Sequence, residues 1–154
     1  MPSLRLSLSN VFVVLRMMIG GIFVVSGFEK LIAPHQNFQY VIESYQVLPR
    51  FLEIATAFVF PWIEFFTGLF VVVGLGLGWA LRTALLLLTV FIVVVAQAIV
   101  RKLPITECGC FGELFSFPLK VVIVFDSFLF LLTSGLLLNV SDAKRFSLDQ
   151  YFLK

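Results

Sequence analysis

The chain has 154 residues, 60% of them hydrophobic and only 13% charged, with a formal net charge of +2. A soluble domain carries about a quarter charged residues, so this composition, with 19 Phe, is that of a membrane protein. The small positive balance, without a basic run or recognition motif, excludes a nucleic-acid-binding role.

Four stretches are long enough to cross a hydrocarbon core, which needs about 20 helical residues. They run roughly from Val11 to Ala33, Phe51 to Gly74, Trp79 to Val100 and Leu119 to Asn139. Spanning segments must satisfy their own backbone hydrogen bonds, so the expected fold is all-α: a four-transmembrane-helix bundle in a single membrane domain, 1–154. Arg5 and the apolar run from Val11 resemble a signal peptide, but Arg16 breaks the run early and Ser26 to Lys30 offers no small-x-small cleavage site. The stretch therefore reads as a retained first span.

Turn chemistry agrees with these boundaries. Pro34 ends the first span, Pro49 precedes the second, and Gly74, Gly76 and Gly78 form a tight turn to the third. Pro118 opens the fourth, a favoured place for proline. Pro61 lies inside the second span, where it kinks the helix unless neighbours satisfy the freed carbonyl. Between the first two spans, Phe38, Val41, Ile42 and Tyr45 recur at helical spacing, which predicts a short interfacial helix. Gly20-Gly21, Gly27, Gly68 and Gly74 allow close helix contacts.

Both cysteines lie in Cys108-Gly109-Cys110-Phe111-Gly112, a polar break in an apolar chain. A thiolate is nucleophilic, and a second thiol two residues away is placed to resolve a mixed disulfide. A disulfide closed over one residue makes a small, strained ring, which Gly109 tolerates, and strained disulfides exchange readily. Two inert loop thiols, or half of a metal site, are the plainer alternatives. With no other Cys and one distant His, His35, the pair makes a poor zinc shell, so no metal is assigned.

Ionisable groups inside a span are costly and are functional candidates by default. Glu64 lies midway along the second span and Asp126 two turns into the fourth, with Gln97 near the end of the third. By depth, Lys30, Gln97 and Asp126 share the half that carries the cysteines, and Glu64 lies between them and Arg16 and Arg82 at the other face. Glu64 and Asp126 are read equally as proton-handling groups and as polar glue; Arg16 and Arg82 fit polar glue or snorkelling. Lys30 would favour a nearby thiolate, whereas Glu107 and Glu113 beside the cysteines oppose one.

Four spans put both termini on one side and the cysteine loop on the other. Basic residues are equally numerous on the two sides, so charge does not orient the chain. Disulfide-forming chemistry belongs outside the cytosol, which places the cysteines outside and the termini in the cytoplasm.

Ser26-Gly27-Phe28-Glu29-Lys30-Leu31, Leu48-Pro49, Glu64 with Gly68, and above all Cys108-Gly109-Cys110-Phe111-Gly112 resemble the DoxX/MauE family, in its MauE-like branch. The resemblance extends from about Arg16 to Leu138. It implies a small redox-associated protein of the bacterial inner membrane, with links to methylamine dehydrogenase maturation, to thiosulfate oxidation with quinone, and to thioredoxin-like or rhodanese partners.

Two functions from different classes follow. In the first, Cys108 and Cys110 are the catalytic pair of a thiol-disulfide oxidoreductase, with Gly109, Phe111, Gly112, Lys30, Glu64, Asp126 and Gln97 in support. Electrons pass between an extracytoplasmic thioredoxin-like or sulfur-carrier protein and quinone, the one small acceptor that the family and the lipid setting suggest; no covalently bound cofactor is expected. In the second, the chain is a non-catalytic subunit of a larger membrane redox complex. A small-molecule transporter fits less well, because four spans lack the doubled, interrupted repeats of transporters.

Overall fold

The computed structural model describes residues 2–103, 105, 118–143 and 147–149, with side chains from Asn10 onward. Among these residues every element is helical: α1 Pro2–Ile32, α2 His35–Ser44, α3 Arg50–Val73, α4 Leu77–Val100, α5 Leu119–Leu138 and α6 Val140–Ala143. Asn10–Ile32, α3, α4 and α5 are the four helices long and apolar enough to span a membrane. A short helix, α2, stands between the first two spans, where the spacing of Phe38, Val41, Ile42 and Tyr45 predicted one.

The boundaries fall where the local chemistry predicts, with two differences. The first helix continues back to Pro2, a full stretch beyond the apolar run that begins at Val11. Gly78, expected in the turn, belongs to the first turn of α4. The reversal needs only Gly74, at φ 72°, and Gly76, at φ 57°, both in the left-handed region that glycine enters without strain. Gly74 closes α3 by donating its N–H to the Phe70 carbonyl at 2.8 Å. Pro34 and Pro49 precede α2 and α3 with ψ of 127° and 149°, in keeping with extended backbone before a helix start.

The spans form a closed ring in which α1 packs on α3, α3 on α4, α4 on α5 and α5 on α1. The α1–α3 contact is the closest. A Cβ added to Gly27 would stand 2.6 Å from the Phe65 nitrogen, and one added to Gly68 would stand 2.6 Å from the Val24 nitrogen. The small-residue reading holds for Gly20, Gly27 and Gly68; Gly21 faces open space and Gly74 serves the turn instead. Outward faces carry Val14, Phe28, Phe58, Leu86, Val93, Val124 and Leu131, all exposed, as a lipid-facing surface requires.

Two apolar clusters fill the ring. One joins Ile19, Phe23, Val71, Leu81, Leu88, Leu129 and Leu136. The other, at the end capped by α2, joins Tyr45, Val95, Ala98, Leu119 and Val122. On α5, Asp126 is one turn from both Val122 and Leu129, so its carboxyl sits at the junction of the two clusters.

The opposite end is closed by the C-terminal residues. Arg16, 2% exposed, donates from Nη1 to the Ala143 carbonyl at 2.8 Å. Asp149 accepts the Gly76 N–H at 2.7 Å and the Leu77 N–H at 3.2 Å, holding a carboxylate at the N-terminus of α4. Arg82 is exposed, with its guanidinium 5.0 Å from the Trp79 ring centroid, as the snorkelling reading expects.

Candidate functional site: a buried polar cluster beneath α2

Ser26 and Lys30 are four residues apart on α1 and therefore share one helix face. The close approach at Gly27 brings that face against α3 at Phe65, the residue next to Glu64. As a result Lys30 Nζ donates to Glu64 Oε2 at 2.9 Å and to Ser26 Oγ at 2.7 Å. Ser26 Oγ in turn donates to Glu64 Oε1 at 2.8 Å. Both carboxylate oxygens of Glu64 are thus engaged, and the Lys30 and Glu64 side chains are 1% and 3% exposed. Charge-assisted hydrogen bonds of this kind are about twice as strong as neutral ones, and they offset part of the cost of burying the pair.

Two aromatic rings close the other side of the ammonium. Lys30 Nζ lies 5.7 Å from the Phe38 centroid and 5.9 Å from the Phe91 centroid, within cation–π range. The same rings line an apolar cavity of about 180 Å³ under α2, with Tyr45, Phe60, Val94 and Val95 also on its wall. Phe60 and Phe91 meet edge to face at 5.4 Å.

Asp126, 3% exposed, approaches from α5. It shares a small cavity of about 20 Å³ with Ser26 and Glu64, walled by Phe23, Leu88, Phe91 and Leu129. Asp126 Oδ2 has no hydrogen-bond partner among the described residues. Tyr45, at the end of α2 and 4% exposed, is held protonated: burial first, and Asp126 second once it is ionised at alkaline pH, push its phenol up to about 12.

The structure brings Lys30 and Glu64 into direct contact and sets Asp126 beside them, a meeting that depth along the spans left open. Gln97 does not join this cluster among the described residues, and its Oε1 is buried without a hydrogen-bond partner there. Ser26 is the member that sequence reasoning missed as a site residue, although its four-residue spacing from Lys30 carried the signal.

Cys108, Gly109, Cys110, Phe111 and Gly112 lie outside the described residues. The residues that lead to them do not: Arg101 donates to the Gln46 carbonyl and to Gln46 Oε1, each at 3.3 Å, just beyond α2. Leu103 and Ile105 pack with Tyr45 and Leu119. The chain thus leaves α4 and enters α5 at the end of the bundle that carries α2 and the Lys30 side of the polar cluster.

No curated protein and no solved structure matches the chain. A family model described as methylamine utilisation protein MauE matches residues 8–139, a stretch that takes in the four spans and the Cys108–Cys110 block. The chain is a multi-pass membrane protein and belongs to the MauE family.

Proposed function

We propose that this MauE-family protein exchanges disulfides at the membrane through Cys108 and Cys110. A thiolate of a soluble dithiol partner, thioredoxin-like or sulfur-carrying, attacks one sulfur of the Cys108–Cys110 disulfide and forms a mixed disulfide. The partner's second thiol displaces it. The partner leaves oxidised by two electrons, and Cys108 and Cys110 are left as the dithiol. A quinone from the lipid then takes two electrons and two protons, and the cysteine disulfide re-forms. The two protons that the quinone takes up are those the two thiols give off, and buried ionisable groups near the cysteines would serve to pass them.

The observation that carries this reading is the Ser26–Lys30–Glu64 cluster with Asp126 beside it. Ionisable groups of this density inside an apolar bundle are expensive, and proton handling is a use that justifies them. The apolar cavity under α2 supports the quinone step, since an apolar cavity of about 150 Å³ accepts a benzene-sized ring. Its aromatic wall suits a flat headgroup.

One further observation favours the accessory-subunit reading. An open groove of about 630 Å³ runs between α3 and α4, lined by Phe58, Trp62, Phe66, Phe70 and Trp79. It would suit the apolar side of another subunit.

The test is alkylation in intact cells with a membrane-impermeant maleimide, before and after mild reduction. Exchange at the outer face predicts labelling of Cys108 and Cys110 only after reduction. Equal labelling without reductant would leave two free thiols and contradict it. Absence of labelling until the membrane is opened would reverse the topology or favour the covered, accessory subunit.

A further inference from the structure

Lys30, Glu64 and Asp126 put one ammonium and two carboxyl groups into the hydrocarbon level of the bundle. With both carboxyls ionised, the cluster would hold one uncompensated negative charge, and an unpaired buried charge is strongly unfavourable. The two carboxyls are not equivalent. Glu64 accepts from Lys30 on one oxygen and from Ser26 on the other, so both of its oxygens are partnered. Among the described residues Asp126 has no cation within hydrogen-bond distance, and its Oδ2 is bare.

Between them is space. The cavity of about 20 Å³ is bordered by Ser26, Glu64 and Asp126, and a cavity above about 10–15 Å³ with polar partners holds one water. A water there can bridge the Asp126 carboxyl to the Ser26–Glu64 side.

We propose that Ser26, Glu64 and Asp126 form a binding site for a single water, and that this site stores one exchangeable proton on Asp126. With the proton bound, the cluster is Lys30 ammonium, Glu64 carboxylate and Asp126 carboxylic acid, with no net charge. Release of the proton through the water leaves a net charge of minus one. Nothing is oxidised or reduced, and only an oxygen–hydrogen bond at Asp126 is made or broken.

The groups facing Asp126 are named from each neighbouring element. From α1 comes Lys30, from the end of α2 Tyr45, and from α3 Glu64. Helix α4 brings no ionisable side chain beyond Arg82, which is exposed and stacked on Trp79. The inference deepens the exchange reading, but only the use of the proton in disulfide chemistry depends on that reading.

The test is infrared spectroscopy of the purified protein in lipid nanodiscs, read in the carboxylic-acid carbonyl region at neutral pH. The wild type is expected to show one protonated carboxyl per chain, shifted on transfer from H2O to D2O because the site exchanges with water. Asp126→Asn is expected to abolish the band. Should that variant fail to fold, Asp126→Glu is expected to move the band while keeping its amplitude. Absence of the band in the wild type, or its survival unchanged in either variant, overturns the proposal. The same band is expected in Cys108→Ser, so failure of the proton site and failure of disulfide exchange read out separately.

Discussion

Lys30 Nζ and Glu64 Oε2 meet at 2.9 Å across the α1–α3 interface, in a pair almost wholly removed from the surface. The pair shares Ser26 as a third member, so each charge has a second hydrogen bond. Burying two charges is expensive, and the geometry recovers the cost only while both remain. Removing one leaves the other stranded in an apolar bundle. Lys30→Met or Glu64→Gln is therefore expected to cost about 3–5 kcal/mol. The double variant Lys30→Met with Glu64→Leu is expected to lose less than the sum. Unfolding in mild detergent checks both. Equal small losses from the singles would mean that the pair is reached by water.

The register that makes this pair possible comes from glycine. Gly27 and Gly68 let the α1 and α3 backbones approach to a distance at which an added Cβ meets backbone nitrogen at 2.6 Å. Gly27→Ala and Gly68→Ala are expected to destabilise by about 1–3 kcal/mol, as overpacked substitutions do. Gly21→Ala, with nothing within 4 Å of its Cβ, is expected to stay within about 0.5 kcal/mol of the wild type. Thermal unfolding of the three proteins side by side decides the point.

The four spans were legible because each is a long apolar run bounded by proline or glycine, and the bilayer leaves no other backbone solution. Lys30 and Glu64 were recognisable one by one as charges out of place. Their contact was not legible, because depth along a helix says nothing of which face a side chain takes or how far a lysine reaches. Gly27 set the register, and a glycine in sequence does not announce its partner. The C-terminal closure was hidden for a related reason. Arg16 reaches Ala143, and Asp149 reaches Gly76, over separations of 127 and 73 residues, and no local pattern links such positions.

Asp149 holds two N–H groups at the start of α4 with one carboxylate. Capping interactions of this kind contribute about 1 kcal/mol, and the helix dipole adds to it. Asp149→Ala is expected to lower stability by about that amount. Asp149→Asn, which keeps an acceptor and loses the charge, is expected to fall between. Thermal unfolding at low and high salt measures the charged part, which salt reduces.

Tyr45 supplies a pH dependence with a definite sign. Its phenol is raised from the ordinary 10.0 to about 12, by burial and then by Asp126. The folded state therefore keeps a proton that the unfolded chain gives up sooner. This contribution to stability is fully present below about pH 10 and is lost as pH rises toward about 12. Unfolding measured at pH 9 and at pH 11.5 is expected to show a smaller loss for Tyr45→Phe than for the wild type. An identical loss in both proteins would contradict the assignment.

Electron exchange between the Cys108–Cys110 pair and a soluble dithiol can be read on the protein itself. The most direct measurement is to oxidise the purified protein, mix it with reduced thioredoxin as the probe dithiol, quench with an alkylating agent and weigh the intact chain. Two added alkyl groups per chain are expected, matched by oxidation of an equal amount of thioredoxin, with no such oxidation in Cys108→Ser. A chain that stays unalkylated while thioredoxin stays reduced would contradict it.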